Sequence, residues 1–222
     1  NNSNDVSDLH GHGTHIAGVI KKEFQRHTTN STSTPSAHLM ILKYYNPKGN
    51  DLENILNSVK AIHYAIKMKS RIINYSGGGS SHHYEEYKAL QLAQEKNILV
   101  VAAAGNNNSN TDAQKYFPAN YNLDNIISVA ATDHDGELVS FSNYGQQTVD
   151  IAAPGKKIYS TLPHNSYGYM SGTSQATALV SAVCAKYLAE STQKLSAQKV
   201  LQNILAESKF KKSLKGKTKF QL

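Results

Sequence analysis

ILVVAAAGN, residues 98 to 106, decides the fold. An unbroken apolar run of this length reads as a strand buried on both faces, and here it runs into Gly105 and delivers Asn106 at its carboxyl end. RIINYS (71 to 76) is a second strand, ending in Gly77, Gly78 and Gly79, and IISVAAT (126 to 132) and VDIAA (149 to 153) are two more. AHLMILKYY, 37 to 45, reads as a short apolar strand before a turn at NPKGN. Helical patterns fill the intervals at 12 to 24, 51 to 69 and 82 to 96, with long helices after Thr173 and Ser196. In the second of these, Leu52, Ile55, Leu56, Val59, Ile62 and Ile66 recur at helical spacing behind an Asp51 cap. Such alternation predicts an α/β fold in three layers, a mostly parallel central sheet with helices on both faces. Ligands in such sheets bind beyond the carboxyl ends of the strands, where the glycine-rich segments of this sequence fall.

The chain has 222 residues, enough for one substantial domain, and no linker or internal repeat divides it. No stretch reaches the roughly 18 to 20 apolar residues of a membrane span. The first residue is Asn1, so the lack of a leader carries no message about secretion. The formal charge of +7 owes much to the lysine-rich tail, residues 208 to 222, which has no acidic residue. With few aromatics for stacking, that tail is expected to be a solvated terminus rather than a nucleic-acid arm. QRHTTNSTSTPSA, 25 to 37, reads as an exposed loop. Cys184 is the only cysteine and lies in an apolar run, which predicts a buried, inert thiol and excludes a disulfide framework or thiolate zinc cluster.

Three segments carry chemistry. HGHGTHIAG, 10 to 18, holds His10, His12 and His15 without the HExxH spacing of a zinc helix. Its residue types fit either a metal site or a tight turn that leaves one imidazole at a helix start as a general base. YMSGTSQATALVSAVCAKYL, 169 to 188, sets Ser174 in the first turn of a buried helix, near unpaired N–H groups and the positive end of the helix dipole. An ordinary helix cap has the same composition. VVAAAGNNNSN, 100 to 110, brings Asn106 to a strand end, where its amide could donate to an oxyanion or simply make a turn.

Together and in this order, HGTHIAG (12 to 18), AAAGNN (102 to 107) and SGTSQAT (171 to 177) resemble the His, oxyanion-Asn and Ser segments of the subtilisin-like serine proteases. RIINYSGGG, YFPANY with IISVAATD, and FSNYG with VDIAAPGKKIYSTLP extend the resemblance from about Asp8 to about Leu205. It implies a single peptidase domain that cleaves peptide bonds through an acyl-enzyme on Ser174, with His12 as general base. Asn106 and the Ser174 N–H would stabilise the oxyanion. The strand Asn74, Tyr75, Ser76, Gly77 and Gly78 would pair with an extended peptide, and Ala103, Ala104 and Gly105 would wall the primary pocket. His15 would pack behind the helix and His10 would lie in a loop.

The resemblance implies no cofactor for the chemistry and no metal. The segment KKEFQRHTTNSTSTP lacks the pattern of the family's calcium loop, so structural calcium is not supported. It also implies a secreted or otherwise extracytoplasmic enzyme made with an inhibitory prosegment. Ser171, Gln175 and Ala178 stand where the family often has Asn, Met and Pro, and Gln175 removes a sulfur prone to oxidation beside the nucleophile. Tyr116 or its neighbours are expected to line the base of the primary pocket, narrowing it in favour of small side chains. The largest departure is the acid. The family's Asp precedes its His on a buried strand that is missing here. Asp5 or Asp8 would have to reach the far side of the imidazole from within one loop, and Asp8 in DLHGH instead matches the non-catalytic Asp that often stands four residues before the family's His. The acid is therefore expected from a preceding segment or a second chain; the rival is an inactive pseudoprotease that binds peptides or a partner.

Overall fold

The computed structural model describes residues 5–28, 36–193, 195–208 and 212–219. Its helices are α1 (His12–Thr28), α2 (Asp51–Lys67), α3 (Tyr84–Glu95), α4 (Thr173–Glu190) and α5 (Ala197–Glu207). Its strands are β1 (Ile72–Tyr75), β2 (Leu99–Ala103), β3 (Ile126–Thr132), β4 (Ile151–Pro154), β5 (Ile158–Leu162) and β6 (Ser166–Met170). β1 to β4 form one parallel sheet in chain order, with Ile72 opposite Leu99, Val100 opposite Ile126 and Val129 opposite Ile151. The predicted three-layer α/β architecture is what the chain adopts.

The run of residues 98 to 104 is apolar throughout because both faces of β2 are covered. Leu99 and Val101 point into a core shared with Ile127, Val129, Val180, Cys184 and Val200 on the α4 and α5 side. Val100 and Ala102 point the other way, onto Ile62, Leu90, Tyr121 and Ile126 on the α2 and α3 side. Each large aliphatic side chain so buried stabilises the fold by about 1.5–3 kcal/mol. α1 lies outside this sandwich and packs through Ile16, Val19, Ile20 and Phe24 on Ala178 and Ala182 of α4. Cys184 is fully buried as expected, and burial pushes its thiol pKa up.

A buried carboxylate ties the α2–α3 layer to the sheet. Glu86 sits in the first turn of α3, where the helix dipole favours negative charge. It accepts hydrogen bonds from Tyr75 Oη (2.6 Å), Tyr121 Oη (3.0 Å) and Ser58 Oγ (3.3 Å), which compensate its burial.

Several local expectations change. The cap of α2 is Asn50 rather than Asp51: Asn50 has extended backbone, and its side chain accepts from Glu53 N while Glu53 Oε2 accepts from Asn50 N. Residues 37 to 45 form no strand. A strand exists through lateral pairing, and among the described residues no strand pairs with the outer edge of β1; Leu39, Met40 and Ile41 are exposed. Leu52 and Leu56 at the start of α2 are exposed too, although Ile62 further along the same stripe is buried.

Gln25 and Arg26, read as loop, belong to α1, and residues 29–35 of that segment lie outside the described residues. The antiparallel pair β5–β6 was not anticipated from the sequence. Its signal is the pair His164 and Asn165, both with positive φ, between two runs of alternating residues. The basic tail is not a free terminus over 212–219. Lys217 O accepts from Gly145 N (2.8 Å), the Lys217 ammonium lies 4.0 Å over the Tyr144 ring, and Leu214 and Thr218 are buried.

Candidate active site

The site is assembled at the carboxyl ends of β1 and β2 and at the first turns of α1 and α4. α4 begins at Thr173, so Ser174 is its second residue, and its N–H has no intrahelical acceptor. Ser174 keeps 9% of its surface exposed, and its Oγ donates to Ser76 O at 3.2 Å. Ser76 Oγ returns a hydrogen bond to Ser174 O (3.1 Å), and Ser181 Oγ donates to Asn74 Oδ1 (2.9 Å). These bonds fasten the end of β1 along α4.

Asn106 is held from the other side. Its Oδ1 accepts from Thr173 N (2.8 Å) and Thr173 Oγ1 (3.1 Å), one residue before Ser174. Both acceptor sites of the amide oxygen are thereby engaged, and no partner within the described residues takes the Nδ2 protons. Thr173 Oγ1 also accepts from Gly105 N (3.2 Å), where φ of +102° suits glycine.

The loop behind Asn106 rests on a residue to which the sequence reading assigned no role. Asn143, buried, donates through Nδ2 to Ala104 O (2.8 Å) and accepts at Oδ1 from Asn107 N (2.9 Å) and Ser109 N (3.0 Å). The motif FSNYG contains it, but nothing in sequence distinguishes a buried Asn from a loop Asn.

His12 is the first residue of α1 and is half-buried. Burial lowers its pKa below the ordinary 6.5, helped by neighbouring His10 and His15, while Asp8 opposes the shift. The shift favours the neutral ring, the form a general base requires. His15 is fully buried. Its Nε2 lies 3.0 Å from Ile158 O and 3.3 Å from Gly168 O, and its Nδ1 lies 3.5 Å from Gln175 Nε2. With the proton on Nε2, the ring donates to the β5–β6 hairpin and accepts from Gln175. Gln175 adjoins Ser174, so this contact holds the first turns of α1 and α4 side by side. His10 is exposed, with its ring 6.2 Å from that of His12. Among the described residues no three His, Cys, Asp or Glu side chains are grouped to hold a metal ion.

Neither early aspartate is hydrogen-bonded to His12. Asp8 accepts from His10 N (2.9 Å), Gly11 N (2.8 Å), Thr14 N (2.8 Å) and Thr14 Oγ1 (2.7 Å), which ties the preceding turn to the first turn of α1 and satisfies the otherwise unpaired Thr14 N–H. Partial burial resists its charge, but these hydrogen bonds outweigh it and bring the carboxyl down to about 2. Asp5 is exposed and accepts from Ser7 N. Replacing Asp8 by alanine should destabilise the protein by about 1 kcal/mol, read as a lower denaturant midpoint. Its folded pKa lies below the ordinary 3.8, so this contribution is present above that value and fades as pH falls towards 2. The wild-type and Asp8→Ala midpoints should therefore converge in acid.

Fold and motif order define a class: an α/β protein built on the subtilisin plan. The sequence profile of the subtilase family matches residues 1–220. The chain is 35% identical over 201 residues to the thermophilic serine proteinase of Bacillus sp. (strain AK1), covering 90% of this chain and 48% of that protein. It is 36% identical over 208 residues to the major intracellular serine protease of Bacillus subtilis (strain 168), covering 90% of this chain and 63% of that one. Among solved structures, the prenylagaramide maturation protease PagA superposes with a TM-score of 0.66 at 32% identity, over 75% of this chain and 62% of that chain. The chain belongs to the subtilase family. It spans less than two thirds of these relatives' lengths.

Proposed function

We propose that this chain is part of a serine endopeptidase and carries its nucleophile, base and oxyanion donors. Ser174 Oγ attacks the substrate carbonyl carbon while His12 takes its proton. The tetrahedral oxyanion rests between the Ser174 N–H and Asn106 Nδ2. Collapse breaks the C–N bond, His12 returns the proton to the leaving amine, and water then hydrolyses the acyl ester by the same route. The observation that carries this reading is the clamp on Asn106: Thr173 holds its amide oxygen, which leaves the N–H₂ end free to donate beside the nucleophile's own N–H. An extended peptide pairs along Asn74 to Gly78, with Ala103 to Gly105 as the opposing wall.

The acid comes from a further strand, on a preceding segment or a second chain, laid against the free edge of β1. Three observations support this: among the described residues β1 ends the sheet without an outer partner, residues 39 to 41 are exposed and belong to no strand, and Leu52 and Leu56 are exposed. Exposed edges and contiguous apolar side chains are features that folded proteins cover. A second reading, a peptide-binding domain without turnover, draws on Ser174 Oγ donating to Ser76 O and on the lack, among the described residues, of a carboxylate hydrogen-bonded to His12.

Labelling with a fluorophosphonate, followed by intact-mass and peptide mapping, decides between the two. An adduct on Ser174 is expected; an unlabelled protein containing the added strand would favour the binding domain. Asn106→Ala should lower kcat by about 10²–10³ with KM little changed, because the lost donor acts mainly in the transition state.

A further inference from the structure

We propose that Tyr116 fills the slot between the ends of β1 and β2 and restricts the residue contributing the cleaved carbonyl to glycine or alanine, an inference that rests on the peptidase reading above. A substrate paired with Asn74 to Gly78 and presenting its carbonyl to Ser174 and Asn106 directs the side chain of that residue between Gly78 and Gly105. The Tyr116 ring already lies there. A Cβ built on Gly78 would fall 2.6 Å from Tyr116 Cε1 and 3.1 Å from Cζ, and one built on Gly105 would fall 3.0 Å from Cδ2 and Cε2. Opposite edges of one ring thus touch the two backbones, so the ring spans the slot from wall to wall.

The ring is held there through its backbone. Tyr116 N donates to Asn120 Oδ1 (2.7 Å), and Asn120 N donates to Tyr116 O (2.9 Å). Asn120 Nδ2 in turn donates to Thr148 O (3.1 Å). The next residue is bridged to the β1 side: Phe117 N donates to Gly79 O (2.7 Å) and Gly79 N to Phe117 O (2.9 Å). A loop fastened at both flanks cannot withdraw the ring as a unit, and a half-buried aromatic between two glycine backbones leaves no room for a second large side chain.

The test uses the natural full-length protein and N-acetylated tetrapeptides that differ only in a C-terminal Ala or Phe, with affinities from calorimetry or NMR titration. The Ala peptide should bind roughly 10- to 200-fold more tightly, the span expected when a pocket rejects an oversized apolar group. Tyr116→Gly, or Tyr116→Ala if the glycine variant does not fold, should reverse the preference, whereas Tyr116→Phe should keep it because the ring remains. Equal or tighter binding of the Phe peptide by the wild type, loss of the Ala preference in Tyr116→Phe, an unchanged preference in the folded truncations, or no binding of either peptide would each overturn the proposal. Fluorophosphonate labelling of the same samples reports separately on the peptidase reading. Labelling without discrimination defeats only the slot, and discrimination without labelling defeats only the catalysis.

Discussion

Replacing Ser174 by alanine should abolish fluorophosphonate labelling and lower turnover by about 10⁶, the order of loss when the nucleophile leaves a Ser–His–Asp unit. The fold should survive it. Ser174 Oγ makes one hydrogen bond, to Ser76 O, and the helix start is independently fixed by Thr173 on Asn106 and by the Gly172 N to Gly155 O bond. An unchanged denaturation midpoint together with lost labelling would assign the loss to chemistry. Residual turnover within tenfold of the wild type would remove Ser174 from the reaction and leave the site as a peptide-binding surface. Because members of such a unit act together, adding His12→Ala to Ser174→Ala should cost little more.

The second large effect concerns the acid. Comparing residues 1–222 alone with the protein containing the proposed extra strand should reveal an increase of about 10⁴ in turnover, the amount by which an oriented carboxylate improves a histidine base. The pH profile should move with it. In the chain alone burial depresses the His12 pKa, so the acid limb of the labelling rate should fall below 6.5. A carboxylate set against the imidazole favours the protonated ring and should carry that limb to higher pH. Equal rates and superimposed profiles in the two samples would sink the added strand as the source of the acid. The added strand should also raise the denaturation midpoint, by covering the β1 edge and the apolar side chains of residues 39 to 41, Leu52 and Leu56.

The parallel sheet could be read from near-continuous apolar runs, because a strand covered on both faces buries nearly all of its side chains; in β3 Ser128 and Thr132 interrupt the run and are buried with it. His12, Asn106 and Ser174 were legible for a different reason: each sits in a short segment whose residue types and order are constrained together. The reading failed at residues 37 to 45, where an apolar run has the composition of a strand but no neighbour to pair with. It also passed over β5–β6, whose strands mix small, polar and aromatic residues, and it took the lysine tail for solvent where residues 212–219 pack on 144 to 149.

By itself, then, the sequence determined the layer architecture, the strand ends that carry the site, and the three residues proposed for the chemistry. These follow from burial periodicity and from local turns, both of which are written in consecutive residues. Only the tertiary structure decided that Asp8 closes the start of α1, that Asn143 and Thr173 hold the Asn106 loop, that Gln175 meets His15, and that Tyr116 stands between Gly78 and Gly105. The contacts of Asn143, Thr173, Gln175 and Tyr116 depend on how separate helices and strands pack, and those of Asp8 on how its own loop folds back onto the first turn of α1. A polar side chain carries no mark in sequence of the partner it will find.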